Sequence, residues 1–249
     1  MSYKQAILVE LYADFRLAPG SFGFDRFFDV VPRLRDRGFP NIESGSVNGF
    51  DVNLFDQKLA AAFTPPRVRC WSSDRTRLVQ LAPDDVTMNL VTPAGTYPGW
   101  RTFREEVVAP TLGSLHATIE VSITAVALNT IDRFTVPSAG FQLGQYIRCG
   151  GPVFPESFAS VTQTIDVDMG FGLIEPDGFN RQVHLHGKPV DGSYVVQVQS
   201  IFQNALADGG NALELLERLH DESDEHFEKW ITDTTRNVVM KGTVDAVSV

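Results

Sequence analysis

The chain has 249 residues, 21 Lys plus Arg against 31 Asp plus Glu, a formal charge of −10 and 43% apolar residues. An apolar fraction this high, with evenly spread charge, excludes a disordered chain. Net acidity disfavours a nucleic acid or an anionic membrane as partner, although a local basic patch can override the average.

No uncharged apolar run of about 18 residues occurs, so the expectation is no transmembrane helix. Glu10 and Asp14 within the first apolar run do not suit a secretory signal. The reading is a soluble, cytoplasmic protein with one large domain or two small ones. Cys70 and Cys149 are far apart. They read as free thiols of a reducing compartment, not as a disulfide framework or a thiolate metal site.

Residues 5–15 alternate imperfectly and predict a buried first strand. Phe24, Phe27, Phe28, Val31 and Leu34 follow at helical spacing, with Gly38 where a helix C′ glycine belongs. Pro32 either kinks that helix or opens a second one. Phe50, Val52 and Leu54 alternate with Asp51 and Asn53 as a half-buried strand. From Arg67 to Thr92 a meander is predicted, with strands at 68–71, 76–81 and 86–91 and turn chemistry at Ser72-Ser73-Asp74 and Pro83-Asp84.

Pro98 opens a middle helix with Trp100, Phe103 and Val107 on one face, and Pro110 limits or bends it. Ile119, Val121 and Ile123 resume a strand to about Asn129, and a loop is expected over 135–158. Three strands with one apolar face each follow, around Val167, Leu185 and Val198. Asn211, with Glu214 three residues on, caps a last helix whose stripe is Ala212, Leu216, Leu219, Ser223, Phe227 and Trp230. The class is α+β, a largely antiparallel sheet with two strand–helix–strands halves (1–95 and 96–249, or one continuous domain) and a C-terminal amphipathic helix.

Three constellations are candidates for function. If the strands around Val167 and Leu185 form a hairpin centred on Pro176, Val167 meets Leu185 and Met169 meets Val183 on one face. The same register sets Asp166 opposite His186 and Asp168 opposite His184 on the other face. These four are candidate ligands of a transition metal, or an acid/base set; the plain alternative is charge complementarity on a solvated face. With a three-residue turn at 72–74, Arg67, Arg69, Trp71, Arg75 and Arg77 share a hairpin face suited to phosphates and a stacked base. A two-residue turn scatters them. Finally, Glu217, Asp221, Asp224, Glu225 and Glu228 on the last helix form an acidic surface for a basic protein partner or simply a solvated face.

P-loop, dinucleotide-binding, nucleophile-elbow and H-E-x-x-H motifs are absent from the sequence. Several segments do resemble a known family. Val9-Glu10-Leu11, Val79-Gln80-Leu81 with Asn89, Tyr97-Pro98-Gly99-Trp100 with Phe103, Leu128-Asn129-Thr130-Ile131, and Leu216-x-x-Leu219-His220 with Phe227 carry the likeness. It is to the sporadically distributed family of bacterial proteins of unknown function, and it runs from residue 7 to about 235. Where that family tends to place Arg-Tyr before the Asn, this chain has Ala127-Leu128, so a role for that Arg does not transfer. The resemblance implies a cytosolic accessory protein of a defence or mobile-element setting, and no activity or cofactor. The leading expectation is therefore a non-enzymatic binding protein with a protein partner. The rivals are an enzyme using the Asp/His cluster and an RNA- or nucleotide-binding domain using the Arg/Trp hairpin.

Overall fold

A computed structural model describes residues 6–20, 26–45, 67–92, 96–119, 121–151, 153–171 and 180–240. The strand expected over Phe50–Leu54 lies outside them. In chain order the elements are β1 (Leu8–Leu17), α1 (Phe27–Asp36), β2 (Asn41–Gly45), β3 (Arg67–Trp71), β4 (Arg77–Leu81) and β5 (Asp85–Val91). Then come α2 (Trp100–Phe103), a π-helical turn (Arg104–Val108), α3 (Ala109–His116) and β6 (Ile123–Pro137). The last third holds β7 (Ile165–Phe171), β8 (Asn180–Val190), β9 (Ser193–Ala205), α4 (Ala212–Trp230) and a second π-helical turn (Thr235–Val239). The strands hydrogen-bond in the order β2-β3-β4-β5-β1-β6-β9-β8-β7. The fold is α+β with an antiparallel, unclosed sheet.

The chain forms two compact units, and neither is one continuous stretch. Unit 1 comprises 1–13, 91–100 and 125–249; unit 2 comprises 14–90 and 101–124.

In unit 1, β8 and β9 form the longest hairpin, and Asp191-Gly192 connects them. Both residues have positive φ (46° and 78°), which is the two-residue turn whose twist matches a hairpin. Period-two alternation then sends Val183 and Leu185 of β8 and Tyr194, Val196, Val198 and Phe202 of β9 to one face, all buried. β6 continues beside β9 as far as Pro137, where a loop was expected from 135. Its Phe134 and Val136 are buried because β9 supplies partners down to Ser193. The helix α4 packs on β9 and covers this face with Leu215, Leu216, Leu219, Ser223, His226 and Trp230. The expected stripe is thus corrected: Leu215 and His226 are inside, and Phe227 and Ala212 are only half-buried. Each fully buried Leu contributes about 1.5–3 kcal/mol relative to exposure. Asn211 caps the helix as expected, accepting hydrogen bonds from the N–H groups of Leu213 (3.0 Å) and Glu214 (3.4 Å).

In unit 2, α1 and α3 pack together and α1 packs on β3. Phe15, Leu34, Cys70, Val79, Leu81, Val86 and Met88 are buried there. The helix α1 runs through Pro32 and ends where expected: Gly38 has φ 97°, and Phe39 N–H returns to the Leu34 carbonyl at 3.1 Å. The middle helix starts at Trp100, not Pro98, and passes through a π-helical turn just before Pro110, the residue with no N–H to continue the ladder.

The β3–β4 hairpin departs from expectation. Trp71 pairs with Leu78, Cys70 with Val79 and Arg69 with Gln80. Ser72 N–H donates to the Arg77 carbonyl (2.9 Å) and Arg77 N–H to Ser72 Oγ (2.9 Å), so four residues form the loop. Asp74 fixes that loop. One of its oxygens accepts from Ser72 Oγ, Thr76 Oγ1 and Thr76 N–H, at 2.6, 2.8 and 3.1 Å. Those bonds, Ser72's first, hold its carboxyl down at about 2.

Gly187 of β8 lies under Tyr194. A Cβ there would come within 2.9 Å of the Tyr194 ring and 3.1 Å of Ile165 Cγ2. Tyr194 cannot swing away freely, because it stacks on Phe141 (centroids 3.7 Å) and its hydroxyl donates to the Gln163 carbonyl. Gly187→Ala is expected to destabilise the protein by about 1–3 kcal/mol in denaturant titration, and adding Tyr194→Phe is not expected to restore it, since ring carbon Cε1 stays at 2.9 Å after the equally close hydroxyl is removed.

Candidate functional site

The register expected for the last strands is the one observed. Asp166 pairs with His186, Val167 with Leu185, Asp168 with His184 and Met169 with Val183. The β8–β9 and β9–β6 ladders extend these pairs into rows. Asp166, His186, Gln197 and Arg133 form one row; Asp168, His184, Gln199 and Ile131 form the next. Both rows lie opposite the α4-covered face, because a strand alternates its side chains.

Polar contacts run along each row. His184 Nδ1 meets Asp168 Oδ1 in a short contact, and His186 Nδ1 lies 3.6 Å from Asp166 Oδ1. Arg133 donates from Nε (3.0 Å) and Nη2 (2.6 Å) to Gln197 Oε1. Gln199 Nε2 donates to the Tyr12 hydroxyl of β1 at 3.0 Å. The face is solvated, with His184 38% and Asp168 74% exposed. It is graded, with carboxylates on β7 and a guanidinium on β6.

The four Asp/His groups do not converge. His184 and His186 stand about 7 Å apart along their strand, so each faces its own carboxylate. Among the described residues no three His, Cys, Asp or Glu side chains come together to hold a metal ion.

The arginine set is divided. Arg67, Arg69 and Trp71 do share a face of β3, but Arg77 is on the opposite face and reaches Glu106 at 3.1 Å. The four-residue loop replaces the odd one expected, and that single residue reverses which side chains of β4 align with β3. Leu78 accordingly sits beside Trp71, not beside Cys70. Arg75, at φ 60° in the loop, lies over the Trp71 ring at 5.5 Å and pairs with Glu43 at 2.7 Å. Arg67 donates to Asp85 at 2.9 Å and to Thr87 at 3.5 Å, and Thr87 in turn donates to Asp14 at 2.6 Å. Burial raises the carboxyls of Asp14 and Asp85. Three of the four arginines are thereby paired with carboxylates, which removes most of the positive field a phosphate would follow.

The acidic face of α4 is likewise engaged within the chain. Glu217 accepts from Trp100 Nε1 at 2.9 Å, and the Trp100 ring stacks on His220 at 4.1 Å. His220 lies 3.7 Å from Asp224. Glu225 pairs with Lys229, and Glu228 takes Nε and Nη2 of Arg236 at 3.2 and 2.7 Å. Asp221 remains exposed.

Two buried titratable groups escaped the sequence reading. Asp132 lies opposite Val198, on the covered face. Burial, with Asp224 adding to it, pushes its carboxyl up to about 7. Burial also raises the Tyr97 phenol, with Asp224 and Asp132 contributing. His226 is 1% exposed, edge-on to Phe202 (5.4 Å), with both ring nitrogens unpartnered. Burial, then Arg181 and Lys229, lowers it to about 3. Period-3.6 counting could have placed His226 on the buried stripe, seven residues beyond Leu219. Nothing local marks Asp132.

No protein-family profile matches the sequence, and comparison with curated proteins finds no match. Among the described residues no helix is long and apolar enough to cross a membrane.

The two buried groups oppose each other in pH. Asp132, raised from 3.8, contributes stability that is present below pH about 4 and lost as pH rises to about 7. His226, lowered from 6.5, contributes stability present above pH about 6.5 and lost as pH falls towards 3. Each slope is about 1.4 kcal/mol per pH unit, so between pH about 4 and 6.5 they offset. Asp132→Asn should leave stability climbing with pH over that window, and His226→Phe should leave it falling. Urea titrations at pH 4.5, 5.5 and 6.5 read both slopes; parallel profiles for the two variants would refute the assignment.

Proposed function

We propose that the chain is a non-enzymatic, cytoplasmic binding protein that engages a protein partner through the open face of β6, β9, β8 and β7. One observation carries the reading: two successive cross-strand rows of Asp, His and Gln stand on that face, one ending on Arg133 and the other on Ile131. An open, hydrogen-bonding surface suits the broad footprint of a protein, whereas a small substrate is held in a concavity. The carboxylates on β7 favour a partner that presents cations to that strand. Among the described strands β7 has a neighbour on one side only, so its outer edge adds backbone donors and acceptors. The resemblance to the sporadically distributed bacterial family supports an accessory role, in a defence or mobile-element setting.

The test is cross-linking in the native host followed by mass spectrometry, comparing the parent chain with Asp166→Asn/Asp168→Asn/His184→Ala/His186→Ala. All four positions are solvated, so the variant should keep its circular dichroism spectrum. A protein cross-linked to peptides from β7–β9, and recovered at least about tenfold less with the variant, is the expected result. Equal recovery, or cross-links confined to other elements, would sink the proposal. Stoichiometric zinc uptake that vanishes in the variant would replace it with the metal-enzyme reading.

A further inference from the structure

Among the described residues β7 is the last strand of the sheet. β8 pairs with it on one side, from Ile165–Gly187 to Phe171–Arg181, and no described strand pairs with it on the other. In an antiparallel ladder alternate residues point their N–H and C=O groups at the partner strand, and the residues between point theirs away. One alternate set of the seven β7 residues therefore directs its backbone donors and acceptors outward.

The two faces beside that edge differ. Val167 and Met169 stand half-buried against the core, next to the buried Ile165. On the opposite face Asp166 and Asp168 are 78% and 74% exposed. Each meets its histidine through Oδ1, which leaves Oδ2 for another donor, since a carboxylate offers about four acceptor positions. The histidines take the β8 side of each row, so the next cross-strand position lies beyond β7.

These features select the occupant. A second copy of β7 is disfavoured: in the antiparallel register of full overlap Asp168 would stand against Asp168, and like charges directly opposite destabilise a pair. A strand with Lys or Arg on every second residue meets the opposite condition. Its cations face Asp166 and Asp168, and its apolar side chains lie beside Val167 and Met169. Strand addition of this kind draws affinity from main-chain hydrogen bonds and specificity from alternate side chains.

We infer that β7 binds an extended segment of a partner protein in which cationic and apolar residues alternate, and adds it to the sheet as a further strand. The inference rests on the protein-partner reading above and names the chemistry of the segment recognised.

The probe is the capped heptapeptide Lys-Val-Lys-Val-Lys-Val-Lys, titrated into the full chain at physiological ionic strength by calorimetry and by NMR hydrogen exchange. Saturable binding is expected, with new protection of alternate β7 amides. An isomer with its lysines and valines in separate blocks should bind at least about tenfold more weakly, since it cannot sort the two kinds of side chain onto opposite faces. N-methylation of one alternate set of peptide amides should abolish binding, and of the other set should be tolerated. Asp166→Asn/Asp168→Asn should weaken the probe at least about threefold, and Asp166→Lys/Asp168→Lys should transfer the preference to the Glu-Val counterpart. Both positions are exposed, so these variants should keep the parent circular dichroism spectrum, and the N-methyl series tests strand addition on the unmodified chain. The proposal is overturned by absence of saturable binding, by equal affinity for the block isomer, by tolerance of both N-methylated sets, or by an unchanged lysine preference in the charge-reversed variant. If host cross-links still map to β7–β9 in that event, the partner reading stands and strand addition alone falls; if they are absent too, both fall.

Discussion

The ladder between β8 and β9 sets the chemistry of both faces of unit 1. A slip of one residue would bring His184 and His186 under α4 and turn Val183 and Leu185 out to water. That exchange would bury two imidazoles and expose two large apolar side chains, several kcal/mol in the wrong direction. The Asp191-Gly192 turn removes the freedom to slip, since both residues adopt positive φ. Once β8 is fixed, β7 follows on one side and β9 passes the register to β6 on the other, so Arg133 and Asp166 stand in one row although 33 positions separate them in sequence.

Much of this order was legible in the sequence, and the reasons differ by element. The β7–β8 pairing could be read because two independent patterns, apolar on one face and charged on the other, demanded one register. The Asn211 cap and the Gly38 stop were legible because their chemistry is local. The β3–β4 hairpin was not, because Ser72 and Asp74 can close loops of several lengths, and one residue decides which arginines stand together. The rows could not be completed beyond His184 and His186, since the partners of β9 lie some 65 positions upstream in β6 and no local signal sets that pairing. Asp132 was invisible for a related reason: in the sequence it is one more acid between Ile131 and Arg133.

Charge in this chain is spent largely on itself. The arginines of β3, β4 and their loop find Asp85, Glu106 and Glu43, and the acids of α4 find Trp100, His220, Lys229 and Arg236. Exposed pairs of this kind contribute little stability singly, about 0–1 kcal/mol. Their larger effect is to lower the local potential, so that charge clusters visible in the sequence lose most of their reach in the fold. What remains available is the open face of β6, β9, β8 and β7, where hydrogen bonding rather than net charge dominates.

Gly187 and Tyr194 share one space in the core: the missing side chain of one is filled by the ring of the other. Substitutions at these two positions are therefore expected to be coupled. A lineage that gained a methyl at 187 would have to trim the aromatic at 194, and trimming it would empty the stack on Phe141 and free the Gln163 carbonyl. Such double exchanges are rare steps, so the small–large pair should persist in descendants of this chain long after its surface has diverged.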